Sequence, residues 1–128
     1  MTEKNKKFGT ILVVEDDIFL AGMYVAKLKL EGFDVKIAED GERGVKMAKS
    51  EKPQLILLDI ILPKMSGFDV LKDLKEDSAT KDIPVILLTN LGQREDVQKG
   101  LDLGANDYLI KAHFMPSEVV KKIKTIIT

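Results

Sequence analysis

At 128 residues, with 45% apolar and 32% charged side chains and a formal net charge of −1, the chain has the composition of one ordinary globular domain. That balance excludes a disordered polymer, and the dispersed Lys and Arg form no basic stripe that would read as direct nucleic-acid binding. No run approaches the roughly 20 apolar residues a membrane helix needs. The absence of cysteine removes disulfides and thiolate metal sites, and the opening MTEKNKK lacks the apolar core of a secretory signal. Together these point to a cytoplasmic protein with no membrane segment.

Residues 1–8 are expected to form a flexible N-terminal tail, with one domain over 9–128. The first apolar run, TILVV (10–14), ends in Glu15, Asp16 and Asp17. A helix-like segment over 17–31 follows, with Gly32 where a left-handed cap is wanted. FDVKIA (33–38) alternates apolar and polar residues, as an edge strand with one wetter face would. The next helix, 41–51, carries a small-residue face of Gly41, Gly44, Val45 and Ala48. QLILL (54–58) is apolar up to Asp59, and Ser66 is placed to cap a helix over 67–77 with Phe68, Leu71 and Leu74 on one side. PVILLT (84–89) ends in Thr89 and is followed by a helix over 93–103. DYLIK (107–111) ends in Lys111, and Pro116 with Ser117 opens a final helix, 116–127, striped with Val119, Val120, Ile123, Ile126 and Ile127.

Regular alternation of strands and helices predicts an α/β fold: a doubly wound, five-stranded parallel sheet with helices on both faces. The alternating second strand belongs at an edge, which the order 2-1-3-4-5 provides. Ligands in such sheets bind beyond the carboxyl ends of the strands, where the order reverses. Glu15, Asp16, Asp59, Thr89 and Lys111 would all crowd that rim. Each has a plainer role taken singly: acids cap helices, Thr is common in strands, and a surface Lys snorkels. Their coincidence at one rim is what carries chemical meaning. Three carboxylates repel one another, and one lysine does not neutralise them. All-oxygen ligation with open positions suits Mg²⁺. A carboxylate beside such a cation and an ammonium can attack phosphorus to give an aspartyl-phosphate.

The motifs ILVVEDD, LILLDIILPKMSGFDVL, PVILLTN and GANDYLIK, in this order and spacing, resemble the receiver domain of bacterial two-component response regulators over residues 10–127. The resemblance implies a flavodoxin-like (βα)5 receiver domain in which Asp59 is the phosphoacceptor. It implies Mg²⁺ held by Glu15, Asp16, Asp59 and the backbone carbonyl of Ile61, with Thr89 and Lys111 contacting phosphoryl oxygens. Thr89 and Tyr108 would form a two-state switch biasing the surface of the fourth helix, fifth strand and fifth helix. Implied partners are a sensor histidine kinase or histidine phosphotransfer protein and a downstream protein target, with the chain a monomer or a weak phosphorylation-linked dimer. The chain ends directly after its last helix, which is expected for a free-standing regulator, a phosphorelay intermediate or a piece of a longer protein.

Several residues depart from the family pattern. Ala112 follows Lys111 where proline with a cis peptide is usual, which predicts a rearranged loop. Asn90 replaces the usual small residue after Thr89. Ile61 and Leu91 are apolar where polar residues assist the hydrolytic water, which predicts slow self-dephosphorylation. His113 reads as a surface loop residue, and Met23, Met47 and Met65 read as core or loop filler. A haloacid-dehalogenase-type hydrolase would need an acid at Ile61, and a flavodoxin would need a hydroxyl- and glycine-rich loop where EDDIF stands. A non-phosphorylated pseudo-receiver acting as a protein-interaction scaffold is the remaining alternative.

Overall fold

The computed structural model describes residues 9–127, so the expected tail over 1–8 lies outside the described residues. Five strands, β1 (Gly9–Val14), β2 (Phe33–Ala38), β3 (Leu55–Leu58), β4 (Val85–Thr89) and β5 (Asp107–Ile110), form one sheet in the order β2-β1-β3-β4-β5. All pairs are parallel. Helices α1 (Ile18–Leu30), α2 (Gly41–Glu51), α3 (Gly67–Glu76), α4 (Arg94–Asp102) and α5 (Pro116–Ile127) connect and follow them.

Strand periodicity divides the core. Ile11, Val13, Leu55, Leu57, Ile86 and Leu88 face one way and pack with Tyr24 and Leu28 of α1 and Val119 and Ile123 of α5. Their neighbours Leu12, Val14, Ile56, Leu58 and Leu87 face the other way, onto Ala48 of α2 and Val70, Leu71 and Leu74 of α3. β1, β3 and β4 are therefore apolar at nearly every position because both faces are covered. β2 takes the expected edge. Its alternation fades along the strand: Phe33 is buried, but Ile37 is 36% exposed on the open margin of the sheet.

Local signals act where the sequence places them. Asp17 caps α1, its carboxylate accepting from the N–H groups of Phe19 and Leu20 at 3.1 Å each. Ser66 caps α3 by accepting from the Phe68 N–H at 3.1 Å. Gly32 has φ 99°, the left-handed conformation that ends α1 without strain. Met47 and Met65 pack against the core, whereas Met23, read as filler, is 52% exposed on the outer face of α1. In α4 only Gly100 is buried, and its cap residue Gln93 makes no side-chain capping bond, so α4 is the most lightly held helix.

Candidate functional site

Register delivers the two inner acids. Val14 pairs with Leu58, so the following residues, Glu15 and Asp59, leave the sheet side by side where strand order reverses. Their backbones remain laddered: the Glu15 N–H donates to the Ala38 carbonyl and the Asp59 N–H to the Val14 carbonyl, both at 3.0 Å. Thr89 pairs with Ile110, which places Lys111 one step past the end of β5 on the same rim. The turn after Asp59 closes tightly. The Gly67 N–H donates to the Ile60 carbonyl at 2.7 Å, and a Cβ on Gly67 would lie 2.2 Å from the Asp59 carbonyl oxygen. Only glycine permits α3 to start this close to the acid's backbone.

Lys111 bridges the acids, its Nζ 2.7 Å from Asp59 Oδ2 and 2.8 Å from Glu15 Oε1. Asp59 Oδ1 accepts from the Ile60 N–H at 2.7 Å and from the Ile61 N–H at 3.4 Å. The second Glu15 oxygen accepts from the Asp17 N–H at 3.0 Å. Glu15 and Asp59 are 4% and 6% exposed, so both charges are largely removed from water. Burial pushes the Glu15 carboxyl up, against the opposing hydrogen bonds from Lys111 and the Asp17 N–H. Burial also works against the Lys111 ammonium, but its bonds to Asp59 and Glu15 outweigh that and raise its pKa.

Glu15, Asp16 and the buried Asp59 each offer a carboxylate oxygen within 4.8 Å of the others, with Asp16 exposed. Three acids against one ammonium leave excess negative charge, and an all-oxygen donor set of this kind fits a hard divalent cation. Asp17 does not join them; its carboxylate is spent on the α1 cap. A cavity of about 370 Å³ lies elsewhere, against Phe114, Glu118, Lys121, Lys122 and Thr125, and contains no comparable carboxylate cluster.

Thr89 is fully buried at the end of β4 and makes no hydrogen bond to Asp59 or Lys111; its Oγ1 accepts from the Leu91 N–H at 3.4 Å. Tyr108 is half-buried, and its hydroxyl donates to the Leu91 carbonyl at 2.6 Å. Burial, with the negative charges of Asp96 and Asp59, pushes the Tyr108 phenol up to about 12. Leu91 thus joins Thr89 to Tyr108 through its own peptide groups. Backbone hydrogen bonding of this kind leaves no mark in side-chain type, so sequence patterns do not show it.

Lys111 lies at the start of a single 3-10 turn, Lys111–His113, rather than at the strand's last position, and the Lys111–Ala112 peptide is trans. With this turn and a trans peptide, the ammonium reaches both acids. His113 is exposed in that turn, and Asn90 is exposed beside Thr89. The Ile61 side chain is 60% exposed over the acids' loop. Tyr24 had no sequence signal. It is 2% exposed on α1 and lines the same gap beneath the acids as Glu15 and Asp59, and burial raises its pKa.

Residues 11–124 match the family described as the response regulator receiver domain. The chain belongs to that family. Receiver domains are signalling domains of two-component systems. Among curated relatives, the phosphate regulon transcriptional regulatory protein PhoB of Escherichia coli is 44% identical over 91% of this chain and 50% of that protein. The DNA-binding dual master transcriptional regulator RpaA of Synechocystis is 40% identical over 91% of this chain and 48% of its own length. A putative response regulator from Chloroflexus aurantiacus has TM-score 0.87 and 33% identity, covering 95% of this chain and 98% of that one. Chemotaxis protein CheY4 of Vibrio cholerae has TM-score 0.84 and 29% identity, covering 91% and 97%.

The receiver spans about half the length of the curated relatives it matches. With a relative that is DNA-binding by name, the expectation of no direct nucleic-acid contact has no support. Among the described residues no helix is long and apolar enough to cross a membrane.

Proposed function

We propose that this receiver accepts a phosphoryl group on Asp59 from a histidine kinase or histidine phosphotransfer protein and reports it to a downstream protein. The observation that carries this is the Lys111 bridge, which holds a buried carboxylate at the reversal point of the sheet beside two further acids. An Asp59 oxygen attacks phosphorus as the bond to the donor's histidine nitrogen breaks. The bonding pair leaves with that nitrogen, and the imidazole departs neutral because its other ring nitrogen carries a proton. Glu15, Asp16, Asp59 and the Ile61 carbonyl would hold Mg²⁺, which when bound neutralises charge on the transferring group. Lys111 turns from the carboxylates to a phosphoryl oxygen, and the Thr89 hydroxyl donates to another.

Drawing Thr89 inward acts on the Leu91 peptide, and through it on Tyr108 and the α4–β5–α5 surface. The setting is cytoplasmic, and the chain acts as a monomer or a weak phosphorylation-linked dimer. Ile61 and Leu91 give the hydrolytic water no polar help, so the phosphoryl group persists.

Incubation with a small phosphodonor and Mg²⁺, read by intact mass, tests the reading. One added phosphoryl group is expected, lost in Asp59→Asn and absent with chelator, and decaying more slowly than in a variant with polar residues at positions 61 and 91. No adduct with any of several donors would leave the scaffold role instead.

A further inference from the structure

α4 has one buried residue, Gly100, and nothing larger than glycine fits there without displacing a neighbour. A Cβ at Gly100 would lie 2.5 Å from Leu87 Cδ1 and 3.0 and 3.3 Å from Cδ2 and Cε2 of Tyr108. Leu87 and Tyr108 are cross-strand partners on β4 and β5, so together they form the floor under α4. The Tyr108 hydroxyl also holds the Leu91 carbonyl in the loop that leads into α4. One aromatic ring therefore supports both the approach to α4 and its single buried turn. A weaker tether is the Lys99 ammonium, 4.6 Å from the centroid of the Phe68 ring.

We propose that Gly100 is a positioning residue of the switch: its bare Cα seats α4 on the Tyr108 ring, so that α4 stays docked only while that ring is in place. Half of the seat is Tyr108 itself. Any movement of the ring disturbs the floor under the one buried residue of α4, and a helix with so little buried responds first. The regulatory part of this proposal rests on phosphorylation of Asp59, as above; the seat does not.

Amide hydrogen exchange of the whole chain tests it, because two effects predict opposite signs. Replacing glycine by alanine inside a helix ordinarily stabilises it by about 1 kcal/mol, which is a roughly fivefold slowing of exchange. If Gly100 sits on the Tyr108 ring, Gly100→Ala should instead speed exchange of the α4 amides by about tenfold, with β1 and β3 unchanged as the control for folding. Tyr108→Ala should speed the same amides. The double variant should speed exchange by less than the two single effects combined, since removing the ring relieves one of the methyl's two contacts while Leu87 keeps the other. Slower or unchanged α4 exchange in Gly100→Ala, or α4 exchange that Tyr108→Ala leaves unmoved, overturns the seat.

With phosphodonor and Mg²⁺, the native chain should change its α4 exchange. Gly100→Ala should take up phosphate equally but show no further change. A native-like response in Gly100→Ala overturns the coupling. Failure of the native chain to take up phosphate defeats the phosphorylation reading, while the donor-free arms still decide the seat.

Discussion

At Lys111 a single ammonium lies within 2.8 Å of two carboxylates that are almost wholly removed from water. Removing one partner of such a buried set leaves its charges uncompensated, which is far worse than never having had the set. Lys111→Met is therefore expected to lose about 3 kcal/mol of stability at neutral pH without metal. Mg²⁺ should restore more stability to this variant than it adds to the native chain, because the acids then repel each other unopposed. Urea unfolding with and without Mg²⁺ measures both, and equal effects of Mg²⁺ on the two proteins would count against a shared acid site. The identity of these residues was legible in the chain, since each ends an apolar run. Their pairing was not: a lysine 52 positions from Asp59 finds it only through sheet register.

Among the elements, the β3–α3 junction packs backbone directly on backbone. Gly67 lets the first turn of α3 press on the peptide of Asp59, and backbone atoms rather than a flexible side chain stand in the way of any Cβ. Gly67→Ala is expected to cost about 3 kcal/mol or more and to disturb phosphoryl uptake, since relief requires moving the Asp59 backbone. A urea midpoint and uptake rate both equal to the native values would refute that contact. Ser66-Gly67 was readable as a helix start from residue type alone, but not the reason for the glycine. Boundary shifts elsewhere have similar causes. Asp17, counted with the helix on sequence, serves as its cap because its side chain satisfies two free N–H groups. Lys111, counted with β5, is released into a 3-10 turn.

Over the whole molecule, acid stability gathers contributions from surface carboxylates whose pKa lies below its usual value. Asp77 accepts from the Ala79 N–H at 2.8 Å, and this bond, with Lys49 at 3.1 Å, holds its carboxyl below the ordinary 3.8. Because the folded pKa is depressed, the contribution is complete above the unfolded value and is lost as pH falls through the folded one. Asp77→Asn should therefore lower the urea midpoint at about pH 7, with the difference from the native chain closing as pH falls from the ordinary carboxylate range through the folded value. A difference that persists unchanged in acid would assign the effect to the turn rather than to charge. Glu31, lowered by its hydrogen bond and ion pair with Lys124, acts in the same direction across the α1–α5 contact.

The sequence by itself determined the fold class and the strand order, and it picked out Glu15, Asp16, Asp59 and Lys111, which the fold brings together. Apolar runs report burial on both faces, alternation marks the edge, and a polar group ending a buried strand can only emerge at the rim. It also showed that the loop after Lys111 departs from the family pattern, through Ala112. Tertiary structure alone decided that Lys111 clasps Glu15 as well as Asp59, that Leu91 links Thr89 to Tyr108 by its peptide groups, and that Gly100 rests on the Tyr108 ring. Each of these depends on backbone atoms or on distances between distant strands. Side-chain type encodes neither; the register of a parallel sheet supplies both.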